Sequence, residues 1–144
     1  NNNNNSNNNN SVAITNPPVD SETIKKQKLK EIVDKIPTSR DQLFSYPIDW
    51  NACEKYNVIE SSIRSWVVKK FIEYLGEEEV TLTNFILKKI SQRCNPEELL
   101  SELEPVLDRD TESFVLKLWR MLIFNVIKAD IDSGGDGQGG YKLK

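Results

Sequence analysis

The chain has 144 residues, 28% of them charged, and a formal net charge of −3: room for one ordinary domain plus tails, and too acidic a balance to coat phosphate over a whole surface. It contains no histidine, which removes the commonest general base, the commonest metal ligand and the usual catalytic triad. No apolar run is long enough to span a bilayer, and Cys53 and Cys94 form no C-x-x-C, so both are expected to be reduced thiols of an intracellular protein.

The opening "NNNNNSNNNN" is too polar to bury surface against its chain entropy, and it resembles neither a signal nor a transit peptide. Residues 1–19 are therefore expected to be a disordered Asn-rich linker closed by Pro17 and Pro18. From 20 to 130 the apolar spacing is helical throughout, with no strand-like alternation. A first helix is expected from Glu22 to Ile36, with Leu29, Ile32, Val33 and Ile36 on one face and Pro37 as its stop. A compact aromatic corner follows, built from Leu43, Phe44, Tyr46 and Trp50, and Asp49 is placed to cap the next turn.

The next helix is expected over Ser61–Leu75. Ile59, Ile63, Val67, Phe71 and Leu75 recur every fourth residue, and Trp66, Val68, Ile72 and Tyr74 widen the apolar face, as in the central helix of a bundle. Gly76 is its left-handed cap. Glu77, Glu78 and Glu79 then fall in a connection near a helix start, where negative charge is favoured. Thr81 or Thr83 is the expected cap of a helix over Leu82–Arg93, with Leu82, Phe85, Ile86 and Ile90 inward and Lys88 and Gln92 outward. "NPEELL" marks another start: Asn95 as N-cap, Pro96 at the first position, Glu98 closing a capping box. That helix should end or kink near Glu104, because Pro105 clashes with the preceding turn. The last helix runs from Asp110 to Ala129 on a broad apolar face that includes Phe114, Leu118, Trp119 and Leu122. Residues 131–144, with Gly134, Gly135, Gly137, Gly139 and Gly140, are expected to be a flexible Gly-rich tail; no strand precedes the glycines and no helix follows, so they are not a phosphate loop.

The fold class is therefore all-α, a helical bundle of four or more helices joined by short loops. Ile63, Trp66, Val67, Phe71, Phe85, Leu118 and Trp119 are its expected structural core, and base stacking by Trp50, Trp66 or Trp119 is disfavoured because each lies on an apolar stripe.

"IRSWVVKKFIEYLGEEEVTLTNFILKKI" resembles the signature region of the PWI domain, and "DKIPTSRDQLFSYPIDW", "NPEELLSELEPVLD" and "FVLKLWRMLIFNVIKA" agree with it in order and spacing. The resemblance covers roughly Lys35–Ala129. Two features depart from the family pattern. The Pro-Trp-Ile tripeptide reads Ser65-Trp66-Val67, with the tryptophan retained, and Pro105 interrupts the helix that follows Asn95. The resemblance implies a four-helix bundle with an additional N-terminal helical segment. It also implies binding of single- and double-stranded RNA and DNA with little sequence preference, helped by a basic flank. The host would be a regulator of pre-mRNA and alternative splicing, located in the nucleus and its speckles. The chain would be a monomeric C-terminal piece of a longer protein whose partners are RNA and splicing-factor proteins.

Charge is unevenly placed. The basic candidates for phosphate contact are Lys25, Lys26, Lys28 and Lys30 on the first helix, Lys69 and Lys70 after the tryptophan, and Lys88, Lys89 and Arg93. Neighbouring helical residues diverge by about 100°, which puts Lys69 on the polar side and Lys70 near Trp66, its stem packed and its head reaching water. Between Glu97 and Glu112 the chain is acidic: Glu97, Glu98, Glu102, Glu104, Asp108, Asp110 and Glu112 stand against Arg109 alone. That run supports an alternative, an adaptor that docks onto a basic spliceosomal protein. No carboxylate cluster has metal-ligand spacing, and no catalytic set, metal site or cofactor is expected.

Overall fold

A computed structural model describes residues 21–134; the expected linker at 1–19 and the tail beyond 134 lie outside the described residues. Among the described residues every regular element is helical.

Helix α1 (Ser21–Val33) buries none of its residues fully; Leu29, Ile32 and Val33 lean on the core, and the fully buried Ile36 lies beyond its end. Two short helices follow, α2 (Arg40–Phe44) and α3 (Trp50–Lys55). Asp49 caps α3 as expected, its Oδ1 accepting from the Ala52 N–H at 3.0 Å. A π-helical turn at Ile59–Ile63 runs directly into α4 (Arg64–Leu75), which ends at Gly76 with φ +88°. Then come α5 (Val80–Ser91), α6 (Pro96–Leu107), a 3-10 turn at Asp108–Asp110 and α7 (Thr111–Asp132). Helices α4 to α7 form the bundle, with α1 to α3 as the added N-terminal helical segment.

The spine of the core is α7, not the helix that holds Trp66. It packs on α1, α2, α3, α6 and the π turn, and buries Phe114, Leu118, Trp119, Leu122 and Ile123 among others. Ile131 is buried too, which carries this helix to Asp132, past the expected end at Ala129. The broad apolar face expected on α4 narrows correspondingly: Ile63, Val67 and Phe71 are fully buried, whereas Ile72 is 45% exposed. Trp66 is half-buried and stacks on Phe114 at 5.6 Å. Phe114 also stacks on Phe71 at 5.2 Å, and Phe44 and Trp50 each make a T-shaped contact with Trp119.

The start of α5 corrects the sequence reading. The helix begins earlier than expected, with Glu79 at the N-cap position. Neither Thr81 nor Thr83 caps it; Thr83 is buried inside the helix, on the same inward face as Ile86, Leu87 and Ile90. With that register Phe85 leaves the core at 37% exposure, and Leu87 takes the inward place. The helix also stops at Ser91, and Arg93, with φ +60°, turns the chain.

In α6, Asn95 caps as expected, its Oδ1 accepting from the Glu97 N–H at 2.8 Å, and Pro96 sits at the first turn. The capping box is not closed: the Glu98 carboxylate pairs with Lys89 instead. Pro105 does not end the helix, which continues to Leu107. It lies exposed in the last turn, and Ser101, whose carbonyl loses its partner, is itself exposed to water.

Candidate nucleic-acid interface

The basic residues separate into committed and uncommitted cations. Lys70 Nζ lies 3.1 Å from Glu73 Oε1 and 5.8 Å from the Trp66 ring centroid, above the tryptophan. Lys89 pairs with Glu98 and lies over the Phe85 ring; hydrogen bonding to Glu98 raises its pKa. Arg93 Nη2 donates to Asn51 Oδ1 at 3.2 Å and to Glu54 Oε2 at 3.1 Å, tying the end of α5 to α3. These three already spend their charge on the protein.

Lys25, Lys26, Lys28, Lys30, Lys69 and Lys88 form no ion pair among the described residues. Lys69 and Lys88 are exposed on α4 and α5, the two helices joined through the turn at Gly76 and packed on one another. On α1, Lys26 and Lys30 are exposed, while Lys25 and Lys28 are half-buried. The carboxylates of the acidic run all lie exposed on α6, the 3-10 turn and the first turn of α7. The two fields meet at the Lys89–Glu98 pair, and Arg40 reaches Glu112 at 3.6 Å.

Arg64 is absent from the cations that the sequence singles out. Its Nε and Nη2 donate to the two oxygens of Glu60 at 2.7 and 3.1 Å, and Nη1 donates to Asn84 Oδ1 at 2.8 Å. The guanidinium holds the Glu60 carboxyl below its ordinary range. The i,i+4 spacing of Glu60 and Arg64 is visible in sequence, but the Asn84 contact crosses twenty positions and carries no local signal. These residues border an open groove of about 440 Å³ between α3, the π turn and α5, lined also by Asn57, Leu87 and Lys88. Arg120, equally unmarked, is structural: it donates to the carbonyls of Ile36 and Pro37.

Among the described residues no group of histidine, cysteine and carboxylate side chains could hold a metal ion, and no helix is long and apolar enough to cross a membrane. Burial pushes the thiols of Cys53 and Cys94 up to about 11, so both stay protonated near neutral pH and are poor nucleophiles.

The PWI domain family matches residues 61–129. The chain is 41% identical over 100 residues to RNA-binding protein 25 of Mus musculus, covering 69% of this chain and 12% of that protein. It is 43% identical over 101 residues to RNA-binding motif protein 25 of Arabidopsis thaliana, covering 70% and 11%. Against the U1 snRNP-associated protein usp107 of Schizosaccharomyces pombe it is 33% identical over 103 residues, covering 72% and 15%. The aligned part is thus a small fraction of each relative's length.

Proposed function

Since residues 61–129 are a PWI domain, we propose that this chain is the RNA-binding module of a nuclear pre-mRNA splicing factor, and that it binds without catalysing a reaction. The supporting observation is the set of uncommitted lysines, above all Lys69 and Lys88 on adjacent helices, on a domain whose relatives are named for RNA binding and for association with U1 snRNP. The mechanism is backbone recognition: lysines neutralise phosphates and release counterions, and base identity is read weakly. The α1 lysines, on a helix that packs against α7, supply a separate basic flank. In this reading the module spans residues 20–130, with the last turn of α7 carried on to Asp132, is a monomer, and takes double- as well as single-stranded RNA, and DNA. Its host regulates alternative splicing and resides in nuclear speckles with other splicing-factor proteins.

Fluorescence anisotropy of this chain with single- and double-stranded RNA, across a salt titration, tests the proposal. Affinity that falls linearly with salt on logarithmic axes, alike for unrelated sequences, is expected. Absence of binding even at low salt would sink it. The exposed carboxylates of α6 favour a second reading, an adaptor for a basic splicing protein. Reversing Glu97, Glu102 and Glu104 would then abolish a protein partner and leave RNA affinity intact.

A further inference from the structure

The groove beside Arg64 contains parts that backbone recognition does not use. Leu87, Ile59 and Cys53 give it an apolar lining, Asn57, Asn84 and Ser91 add polar groups, and Lys88 completes it. At about 440 Å³ it lies in the range of small-molecule sites. Two backbone irregularities border it. One is the π turn at Ile59–Ile63, a device common at functional sites. The other is Asn57, with φ +53°.

Arg64 is the distinctive element. Guanidinium N–H bonds lie in the plane of the group. The bonds to Glu60 and Asn84 therefore fix that plane without covering its faces, and the side chain remains 40% exposed. A guanidinium plane held in advance is a stacking surface for an unpaired base, and little side-chain entropy is left to lose on binding. Asn84 Oδ1 is occupied by Arg64, which leaves its amide NH2 to donate to an acceptor on a base edge. Lys88 forms no ion pair among the described residues and supplies the charge for the adjoining phosphate. The groove's own carboxylates do not oppose this, because Glu60 is neutralised by Arg64 and Glu54 by Arg93.

We infer that this groove takes one unpaired nucleotide of single-stranded RNA, the base stacked on Arg64 and hydrogen-bonded by Asn84, the phosphate held by Lys88. The inference rests on the RNA-binding reading and adds to it a reason to distinguish single strands from duplex. A duplex keeps its bases paired and stacked, so it reaches only the lysines.

The test compares a short single-stranded RNA with a duplex of the same composition by anisotropy, using the wild-type chain, Arg64→Lys and Ser91→Trp. Arg64→Lys keeps the charge and removes the plane; Ser91→Trp fills the groove. Circular dichroism confirms that each variant is folded. Both variants should weaken single-strand binding by about tenfold and leave duplex affinity and both salt slopes unchanged. Wild-type binding to both RNAs with no selective loss in either variant overturns the groove assignment alone. Wild-type binding to neither RNA overturns the assignment together with the RNA-binding reading. A basic peptide whose binding is lost in Arg64→Lys, while both RNA affinities hold, would give the groove to a protein segment and likewise overturn it.

Discussion

Arg120 of α7 donates through a single nitrogen to the Ile36 carbonyl at 3.0 Å and the Pro37 carbonyl at 2.7 Å. The contact spans more than eighty positions and fastens the segment after α1 to the spine of the bundle. It matters because α1 buries no residue fully and rests on the core through the partly buried Leu29, Ile32 and Val33. Hydrogen bonds from a charged donor contribute about 1.5–3 kcal/mol each. Arg120→Met removes both bonds and should therefore lower unfolding stability in urea by about 3 kcal/mol or more, and amide exchange should accelerate selectively over Leu29–Ile36. A uniform acceleration across α4 to α7 would show that Arg120 supports the whole core instead.

Phe71 and Phe85 contrast a buried ring with an exposed one. Phe71 is fully buried and stacked on Phe114. Truncation to alanine leaves a cavity and should cost about 3–5 kcal/mol. Phe85 is 37% exposed, and its truncation should cost less than about 1 kcal/mol. Thermal or urea unfolding of the two variants checks the order, and equal losses would contradict the register of α5.

That register marks where the sequence is legible and where it is not. The bundle, its caps at Asp49, Gly76 and Asn95, and most core positions follow from local spacing, since apolar periodicity and capping chemistry act within a few residues. Local spacing also points Phe85 inward, because both Leu82–Phe85–Ile86 and Thr83–Ile86–Leu87–Ile90 are continuous helical stripes. Only the packing partners choose between them. The role of α7 as spine is obscured for the same reason: α4 and α7 both carry broad apolar faces. The division of the cations is less legible still. Lys70 with Glu73 can be read from i,i+3 spacing, but Lys89–Glu98, Arg93–Glu54 and Arg64–Asn84 join separate elements. The groove depends on the π turn, which leaves no compositional trace.

Pro105 gives an engineering prediction. It occupies the last turn of α6, exposed, and contributes no N–H to the helix. Proline costs up to about 3 kcal/mol in a helix interior, partly offset by the order it imposes on the unfolded chain. Pro105→Ala should raise stability by about 1–2 kcal/mol without altering RNA affinity. A loss of stability would mean that the ring shapes the following 3-10 turn.

Uncommitted and committed lysines should behave differently on charge reversal. Lys69→Glu together with Lys88→Glu should weaken binding to every RNA sequence alike and reduce the salt slope by about two, with the melting temperature nearly unchanged. Lys89→Glu should act chiefly on the fold, because it leaves Glu98 facing a like charge at the α5–α6 junction. Its effect on the salt slope should be small. A loss confined to one RNA sequence in the double variant would contradict backbone recognition.

Alkaline pH should expose the state of Cys53. Its thiol is fully buried and pushed up to about 11, first by desolvation and then by Glu54, whereas an unfolded chain ionises near the ordinary value of 9.0. Between those values the unfolded state has lost the proton that the folded state keeps, so stability falls as pH rises from about 9 to about 11. The full shift corresponds to about 2–3 kcal/mol. Cys53→Ala removes this group, so the stability of wild type minus that of the variant should decline over that window and stay flat from about pH 6 to 8. A flat difference throughout would mean that the thiol reaches solvent in the folded state. Alkylation by iodoacetamide at about pH 8 supplies an independent reading: Cys53 should react far more slowly than the half-buried Cys94, whose thiol is raised to a similar value but lies nearer the surface.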